Sequence, residues 1–391
     1  MKHKKWKKVL SISMIFLLLL LTGCNKSGDE KDSKKGPQNK EETVQNNKEG
    51  KTNETTNIDE IGESGDDVET EGDYSNIIFN RSLVKGKFAT YFFRSDVLYQ
   101  SYSWKGKGGD SVFLISPDGK TLLYDCSTPM NAPYIASALQ KLGVKKIDYF
   151  VNSHPHIDHL GGFSIISRYF DIGHIYLMPC ENGYTNITAQ GGYAVAFWER
   201  VQELKIPYSY LAEGDTFQFG TDVSVKVYNP PGNVDFDAVG YDYNETSLIL
   251  KFIYKDSSVL LAGDTGNNAE KLGRATETEL ARKYGSELQA DVSKMNHHGD
   301  ANANGNTKAG SPDWLNAVNS KIYVGMYGSF TDVKQYYTYV ATGAKVFHSS
   351  MDGTVLVYTS GNGTYDVQVE RDRYVDTYGK YDMVDGHMTV K

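Results

Sequence analysis

The sequence predicts a mixed α/β fold in which two β-sheets pack face to face between layers of helices, an αββα sandwich. Three observations lead to this prediction. Helix-like and strand-like apolar patterns alternate between residues 134 and 204. Strand-like patterns then follow one another between residues 216 and 261, separated by Gly, Asp and Pro. After residue 275 the two kinds of pattern alternate again. This mixture within one chain is typical of two sheets flanked by helices.

Apolar periodicity and turn residues place the individual elements. A period near 3.6 predicts helices at 134–142, 160–169, 193–204 and 275–284. Alternating or short continuous apolar runs predict strands near Val292 and at 147–151, 175–178, 216–219, 223–228, 247–254, 258–261 and 322–325. Residues 109–125 and 355–369 predict β-hairpins, the first with a Pro-Asp-Gly turn and the second with a Gly-rich one. The polar tail from Asp372 onward is predicted to cover the surface.

The segment 152–162 is rich in potential metal ligands. His154, His156, Asp158 and His159 form the pattern H-x-H-x-D-H directly after a predicted strand. Neutral imidazole and carboxylate are the ligands of zinc and similar metals. Three of the nine histidines of the chain lie in this segment. A histidine-rich surface turn is therefore the weaker interpretation.

The spacing of this motif predicts two metal ions. On an extended segment His154 and His156 point to the same side, because side chains alternate with period two. Asp158 and His159 follow a turn and are directed at a second point nearby. Two metal ions about 3.5–4 Å apart suit this arrangement better than one. Zinc is the expected metal, with manganese and iron as alternatives.

The motif is the signature of the metallo-β-lactamase-fold hydrolases, and the chain resembles this family over residues 86–370. Residues 109–125 look like the first hairpin of the family. Asp264, at the exit of an apolar strand, is similar to the aspartate that bridges the two metals. His297 and His298, followed by a glycine, resemble the segment that supplies the final histidine. All these motifs occur in the order that the family shows.

The resemblance implies a ligand set for each metal ion. The implied ligands of metal one are His154, His156 and Asp264, and those of metal two are Asp158, His159, Asp264 and either His297 or His298, with His298 favoured. Asp125 is expected to accept the free N–H of a ligand histidine, with a turn aspartate as the alternative. Many members place a third histidine on metal one where this chain has Asn229, so water is expected to complete that site. No ligand role is assigned to His174, His348 and His387.

Two branches of the family are similar to this chain in local sequence. The competence-related branch shares the style of the segments at 109–125, 244–250 and 297–299. The phosphorylcholine esterases of bacterial teichoic acids are similar around 152–162, 225–231 and 294–300. Both branches cleave phosphate esters. The resemblance therefore implies a phosphodiesterase in which a metal-bound hydroxide attacks the substrate, with Asp158 as the ligand on which catalysis depends. Hydrolysis of β-lactams is a weaker alternative, because the departure at Asn229 suits phosphate-ester relatives better.

The first residues of the chain predict a bacterial lipoprotein signal, residues 1–23. Several lysines precede an apolar run from Val9 to Leu21, which is too short to span a bilayer and is typical of a secretion signal. The sequence up to Cys24 resembles a lipobox, so we expect cleavage before Cys24 and acylation of its thiol. An ordinary signal peptide is the alternative.

The predicted lipoprotein is anchored on the extracellular face of the cytoplasmic membrane through Cys24. Residues 24–75 contain too few apolar side chains to offset the entropy of folding, and they predict a disordered tether. Residues 76–391 then form the hydrolase domain. Cys126 and Cys180 are left as a candidate disulfide of an exported protein.

The charge of the chain bears on its substrate. Lys and Arg number 41 and Asp and Glu number 49, for a formal net charge of −8, which disfavours tight binding to nucleic acid. A phosphodiester of the cell envelope is thus the favoured substrate. An extracellular nuclease related to competence proteins and a metal-binding surface module without turnover remain alternatives. The sequence indicates no protein partner.

Overall fold

The computed structural model describes residues 72–95, 108–179, 184, 192–232, 243–267, 274–299, 309–326, 333–373 and 381–391. The predicted signal peptide, Cys24, the tether up to residue 71 and Cys180 lie outside the described residues. Tyr74 donates its backbone N–H to the Glu370 carbonyl at 2.7 Å. Residues 72–75, assigned to the tether from the sequence, thus contact the folded part of the chain.

Two β-sheets form the centre of the described structure. The strands of the first sheet are β1 Phe88–Phe92, β2 Val112–Ile115, β3 Thr121–Tyr124, β4 Lys146–Val151, β5 Asp171–Leu177, β6 Tyr208–Tyr210, β14 Val355–Thr359, β15 Tyr365–Val369 and β16 His387–Val390. Those of the second are β7 Thr216–Phe219, β8 Val223–Asn229, β9 Ile249–Tyr254, β10 Ser257–Leu261, β11 Val292–Lys294, β12 Ile322–Gly325 and β13 Lys345–His348. The strand orders are β16-β15-β14-β1-β2-β3-β4-β5-β6 and β13-β12-β11-β10-β9-β8-β7.

Nine helices accompany the strands in the described residues, and most of them connect parallel strands. They are α1 Ser75–Ile78, α2 Ala132–Lys141, α3 Ile157–Leu160, α4 Phe163–Tyr169, α5 Tyr193–Glu203, α6 Thr276–Tyr284, α7 Pro312–Val318, α8 Val333–Val340 and α9 Ser349–Asp352. Strands β3 to β6 are parallel, and so are β10 to β13. Parallel neighbours require a crossover, which α2, α4 and α5 provide in the first sheet and α6, α7 and α8 in the second. The remaining strand pairs are antiparallel.

Aromatic side chains fill the space between the two sheets. The rings of Phe88 on β1 and Phe252 on β9 have centroids 6.4 Å apart. Tyr124, at the end of β3, donates its hydroxyl to the Leu248 carbonyl at 2.7 Å. These side chains are almost wholly buried, and each large apolar group removed from water stabilises the fold by about 1.5–3 kcal/mol.

Helices cover the outer face of each sheet. Phe150 of β4 packs on Phe163 of α4, with ring centroids 4.9 Å apart. On the other side, Leu260 and Tyr323 of the second sheet pack with residues of α6 and α7, among them Trp314. The layers therefore run helix, sheet, sheet, helix, and the αββα sandwich predicted from the sequence is confirmed.

Some elements differ from their predicted bounds. The helix predicted at 160–169 begins at Phe163, after Gly161 and Gly162, and Leu160 ends the preceding short helix α3. The strand predicted from residue 247 begins at Ile249, because Asn244–Thr246 form a short 3-10 turn. The polar tail forms the edge strand β16, which pairs with β15 in antiparallel orientation. In the described part of the chain, no helix combines the length and apolar character needed to cross a membrane.

Candidate metal centre

The loops after β4, β10 and β11 bring histidine and aspartate side chains to one buried point. They carry the residues His154, His156, Asp158, His159, Asp264, His297 and His298. Asp264 Oδ2 lies at the centre, 3.1 Å from His159 Nε2 and 3.1 Å from His298 Nε2. His154 Nε2 and His297 Nε2 are each 3.9 Å from the same oxygen. One carboxylate oxygen thus faces imidazoles from two loops.

A buried carboxylate orients His159. Asp125 Oδ2 lies 2.8 Å from His159 Nδ1, and both side chains are fully buried. The Asp125 carboxylate also accepts hydrogen bonds from the backbone N–H and the hydroxyl of Ser153. An imidazole bonded at Nδ1 presents Nε2 to the opposite side, and His159 Nε2 points at Asp264. Asp125 therefore contacts a candidate ligand histidine, and its role in metal binding stays a prediction.

His298 is held by a second carboxylate that the sequence analysis did not identify. Asp110 Oδ1 lies 2.9 Å from His298 Nδ1. His298 Nε2 then lies 3.2 Å from Asp158 Oδ2 as well as near Asp264. His297 and His298 both have positive φ angles, 44° and 64°, and this tight turn separates the directions of the two rings. His298 converges on the centre, whereas His297 stands farther from it.

Asp110 belongs to a compact group of candidate ligands. Among the described residues, ligand atoms of Asp110, His159, Asp264 and His298 all lie within 4.8 Å of one another. The backbone N–H of Asp110 donates to the Asp158 carbonyl at 3.0 Å. The preceding residue is Gly109, at which a Cβ atom would lie 2.0 Å from that carbonyl oxygen. The Gly-Asp pair before β2 was the available sequence signal, but its distance along the chain from the other ligands concealed its role.

His154 and His156 form the other half of the centre. His154 Nε2 lies 3.0 Å from His156 Nδ1. On its far side, His154 Nδ1 contacts the hydroxyls of Ser153 at 2.9 Å and Ser247 at 3.2 Å. Burial, together with the neighbouring imidazoles, holds the pKa of His154 well below its usual value. Its ring is therefore in the neutral form that binds metals.

Comparison with known proteins identifies the family. The model of the family described as the metallo-beta-lactamase superfamily matches residues 106–308. The chain belongs to the metallo-β-lactamase superfamily. The matched region contains every candidate ligand of the centre.

Individual relatives are distant. Competence protein ComA of Neisseria gonorrhoeae is 26% identical over 263 residues, which cover 66% of this chain and 32% of that protein. The chain thus spans about a third of the length of this curated relative. A metallo-β-lactamase from Cronobacter sakazakii is 16% identical with a TM-score of 0.35, over 52% of this chain and 75% of that one. CmlA β-hydroxylase is 12% identical with a TM-score of 0.43, over 70% and 54% of the two chains.

Asn229 stands where many superfamily members have a metal-binding histidine, and its amide makes other contacts here. Its Nδ2 donates to the carbonyls of Glu245 at 3.0 Å and Ser247 at 2.8 Å. Its Oδ1 accepts from Arg274 Nη1 at 3.4 Å. Asn229 therefore holds the turn that places the Ser247 hydroxyl against His154.

Histidines without an assigned role lie in three different places. His174 Nε2 contacts Ser209 Oγ across β5 and β6, and His387 lies near Asp366 at the edge strand. His348 is buried, with its Nδ1 2.6 Å from Ser350 Oγ. Cys126 is also buried, and its pairing with Cys180 stays a prediction because Cys180 lies outside the described residues.

The donor set fits metal ions. Burial opposes ionisation of Asp264, but the imidazoles of His159 and His298 hold its pKa well below the usual value. Burial alone would lower the pKa of His159 and His298, yet the surrounding carboxylates raise both well above the usual value. The centre thus attracts positive charge. Protons can supply it, and so can metal ions, which bind by displacing those protons.

Proposed function

We propose that this protein is a metal-dependent hydrolase with two metal sites, occupied by zinc. The observation that carries the proposal is the convergence of imidazoles on Asp264 Oδ2: His159 and His298 lie 3.1 Å from it, and His154, with His156 beside it, lies 3.9 Å away. One shared carboxylate between two sets of nitrogen ligands is the arrangement that a two-metal hydrolase needs.

Some side chains of the centre would bind the metal ions, and others orient the rings of those ligands. His154, His156 and Asp264 would hold one ion, and Asp158, His159, His298 and Asp264 the other. Two such ions lower the pKa of a shared water and withdraw charge from the oxygens of the group under attack. Asp125 and Asp110 fix the ring orientations of His159 and His298. Asp158 remains partly exposed, which leaves this side of the centre open to a substrate.

The proposed substrate is a phosphodiester of the cell envelope, such as a phosphorylcholine-type ester. The support is the resemblance of the segment around 152–162 to esterases of that kind, together with the acidic net charge of −8. In a phosphorylcholine ester the quaternary ammonium offsets the phosphodiester charge, so this group approaches such a surface at a lower electrostatic cost than a nucleic acid does. The proposed location, the outer face of the membrane with a lipid on Cys24, rests on the signal-like residues 1–24.

A nuclease activity is the second candidate. The match to competence protein ComA over 66% of this chain favours it. The net negative charge counts against tight binding of long nucleic acid. A metal-binding surface module without turnover is a third interpretation, and the intact set of candidate ligands is the argument against it.

Purified full-length chain, loaded with zinc, tests these proposals. We expect close to two zinc ions per chain by elemental analysis and hydrolysis of bis-p-nitrophenyl phosphate. Release of phosphorylcholine from teichoic acid without cleavage of plasmid would support the envelope substrate. Cleavage of plasmid would support the nuclease instead. A metal-loaded chain that hydrolyses no ester would favour the binding module, and a chain that binds no metal would refute the proposal.

A further inference from the structure

We propose that Lys294 is a positioning residue that links the three ligand-bearing loops of the centre without help from a metal ion. Lys294 is the last residue of β11, and its side chain is completely buried. A buried lysine is rare unless its charge is paired. Here the pairing connects separate parts of the metal centre.

The ammonium group of Lys294 contacts two of these loops directly, and it reaches the third, after β4, through Asp110. It donates to the Gly263 carbonyl at 2.8 Å, next to the shared ligand Asp264. It donates to the Met295 carbonyl at 2.9 Å, in the loop that leads to His298. It also forms an ion pair with Asp110 Oδ2. An ammonium has three N–H donors. Two of them make these hydrogen bonds, and Asp110 balances the charge of the group.

Asp110 extends this link to the remaining ligands. Its other oxygen, Oδ1, orients His298, and its backbone N–H donates to the Asp158 carbonyl. The ion pair of Lys294 and Asp110 therefore joins the loop of the H-x-H-x-D-H motif to the loops after β10 and β11. The Gly263 carbonyl also accepts the backbone N–H of His297 at 3.1 Å, which closes the connection between the last two loops.

Lys294 also accounts for the orientation of the shared carboxylate. Asp264 Oδ2 faces the imidazoles, whereas Oδ1 is buried with no hydrogen-bond partner. Lys294 Nζ lies 3.8 Å from Oδ1. The positive charge holds this oxygen on the side away from the histidines. A single oxygen, Oδ2, is then left for both metal sites.

This inference rests on the metal centre of the proposed function but predicts a property of the metal-free chain. In the wild-type chain stripped of metal, we expect the backbone amides of Asp110 and His297 to remain protected from hydrogen exchange. Rapid exchange of both amides in the metal-free chain would overturn the inference. That result would leave the proposed activity of the zinc-loaded chain untouched, so the two ideas can fail separately.

Substitution of the lysine provides the second test. In Lys294→Met, we expect the two amides to exchange at least tenfold faster and the affinity for the second equivalent of Co²⁺ to fall about 10–100-fold. The absorption spectrum of the bound Co²⁺ should change as Asp264 is released. Lys251→Met is the matched control, because Lys251 lies on β9 and donates to the Glu287 carbonyl, at 2.8 Å, instead of to a ligand loop.

The sign of the effect separates positioning from simple charge repulsion. If Lys294 acted only by repelling metal ions, its removal would raise the affinity for Co²⁺. An increased or unchanged Co²⁺ affinity of Lys294→Met would therefore refute the proposal. Should Lys294→Met fail to fold, the double variant Lys294→Met with Asp110→Asn removes both charges of the pair. Slow amide exchange and wild-type Co²⁺ affinity in that folded double variant would also refute it.

Discussion

Asp125 and His159 form a buried pair, with Oδ2 2.8 Å from Nδ1, that directs an imidazole of the first sheet towards the second sheet. His159 follows β4, whereas its contact on the other side, Asp264, follows β10 of the second sheet. The metal centre therefore lies across the junction of the two sheets. Correct packing of one sheet on the other is a condition for assembling it.

Asp125→Asn should weaken metal binding about 10–100-fold, because a neutral amide makes a poorer partner for the His159 N–H. The amide nitrogen would also face one of the donors that now contact the carboxylate. Competition with a chromophoric zinc chelator measures the affinity. Asp148→Asn serves as a control, since Asp148 is a hydrogen-bonded aspartate of β4 that contacts Thr121 and Lys120 instead of a histidine. Equal zinc affinity in wild type and Asp125→Asn would contradict the prediction.

Asp158→Ala should lower kcat by orders of magnitude while the chain stays folded. The side chain contacts His298 Nε2 at 3.2 Å and is a proposed ligand, but it contributes little to the core. Steady-state hydrolysis of bis-p-nitrophenyl phosphate with excess zinc measures the effect, and circular dichroism checks the fold. Asp222→Ala, at an exposed turn, should retain wild-type activity. An active Asp158→Ala enzyme would show that Asp158 is not a ligand.

Gly109→Ala should displace the ligand loop after β4. The new Cβ atom would lie 2.0 Å from the Asp158 carbonyl oxygen, and both backbone segments are hydrogen-bonded in place. We expect a loss of activity together with a lower melting temperature. Gly232→Ala is the matched control, because among the described residues its Cβ would have Ala212 Cβ, at 3.6 Å, as its nearest contact. A Gly109→Ala chain as active and stable as Gly232→Ala would show that the loops move apart freely.

Glu277→Gln should change how stability depends on pH. Glu277 is buried and accepts hydrogen bonds from Asn296 Nδ2 and from the backbone N–H groups of Gly310 and Ser311. Burial raises the pKa of this carboxyl to about 7, from 4.5. Between these values the folded chain keeps a proton that the unfolded chain has lost, so this contribution to stability falls as pH rises from 4.5 to 7.

As pH rises from 4.5 to 7, the free energy of unfolding of the wild type should fall by about 3 kcal/mol relative to that of Glu277→Gln. Glutamine does not titrate, so the wild type should lose melting temperature relative to the variant as pH rises from 5 to 8. Thermal unfolding of both chains at several pH values measures the difference. A difference in melting temperature that is the same at pH 5 and pH 8 would be incompatible with a titrating Glu277.

Cys24→Ala should abolish membrane retention. The lysines before Val9, the short apolar run and the lipobox-like sequence motivate the prediction, and two or more acyl chains anchor a protein stably. The variant should appear in the medium or remain as the uncleaved precursor. Fractionation of cells and the mass of the processed chain are the measurements. Unchanged processing and membrane association would rule out lipidation.

The local sequence determined much of this protein. Apolar periodicity predicted most helices and strands, because each element buries a regular face. The pattern around His154 predicted metal ligands, because closely spaced imidazoles and carboxylates restrict the chemistry that a segment can perform. The helix predicted from Leu160 begins only at Phe163, because Gly161 and Gly162 separate α4 from the short helix α3.

Only the tertiary structure decided how these residues meet. Asp110 and Lys294 are far apart along the chain, and no sequence pattern around either residue predicts their contact. The packing of β11 beside β10 brings Lys294 to Gly263 and Asp110. The tight turn at His297 and His298 selects which ring reaches Asp264, a choice that depends on backbone angles. Residue types carried the chemistry of the centre, whereas its geometry came from contacts between the two sheets, which no single segment contains.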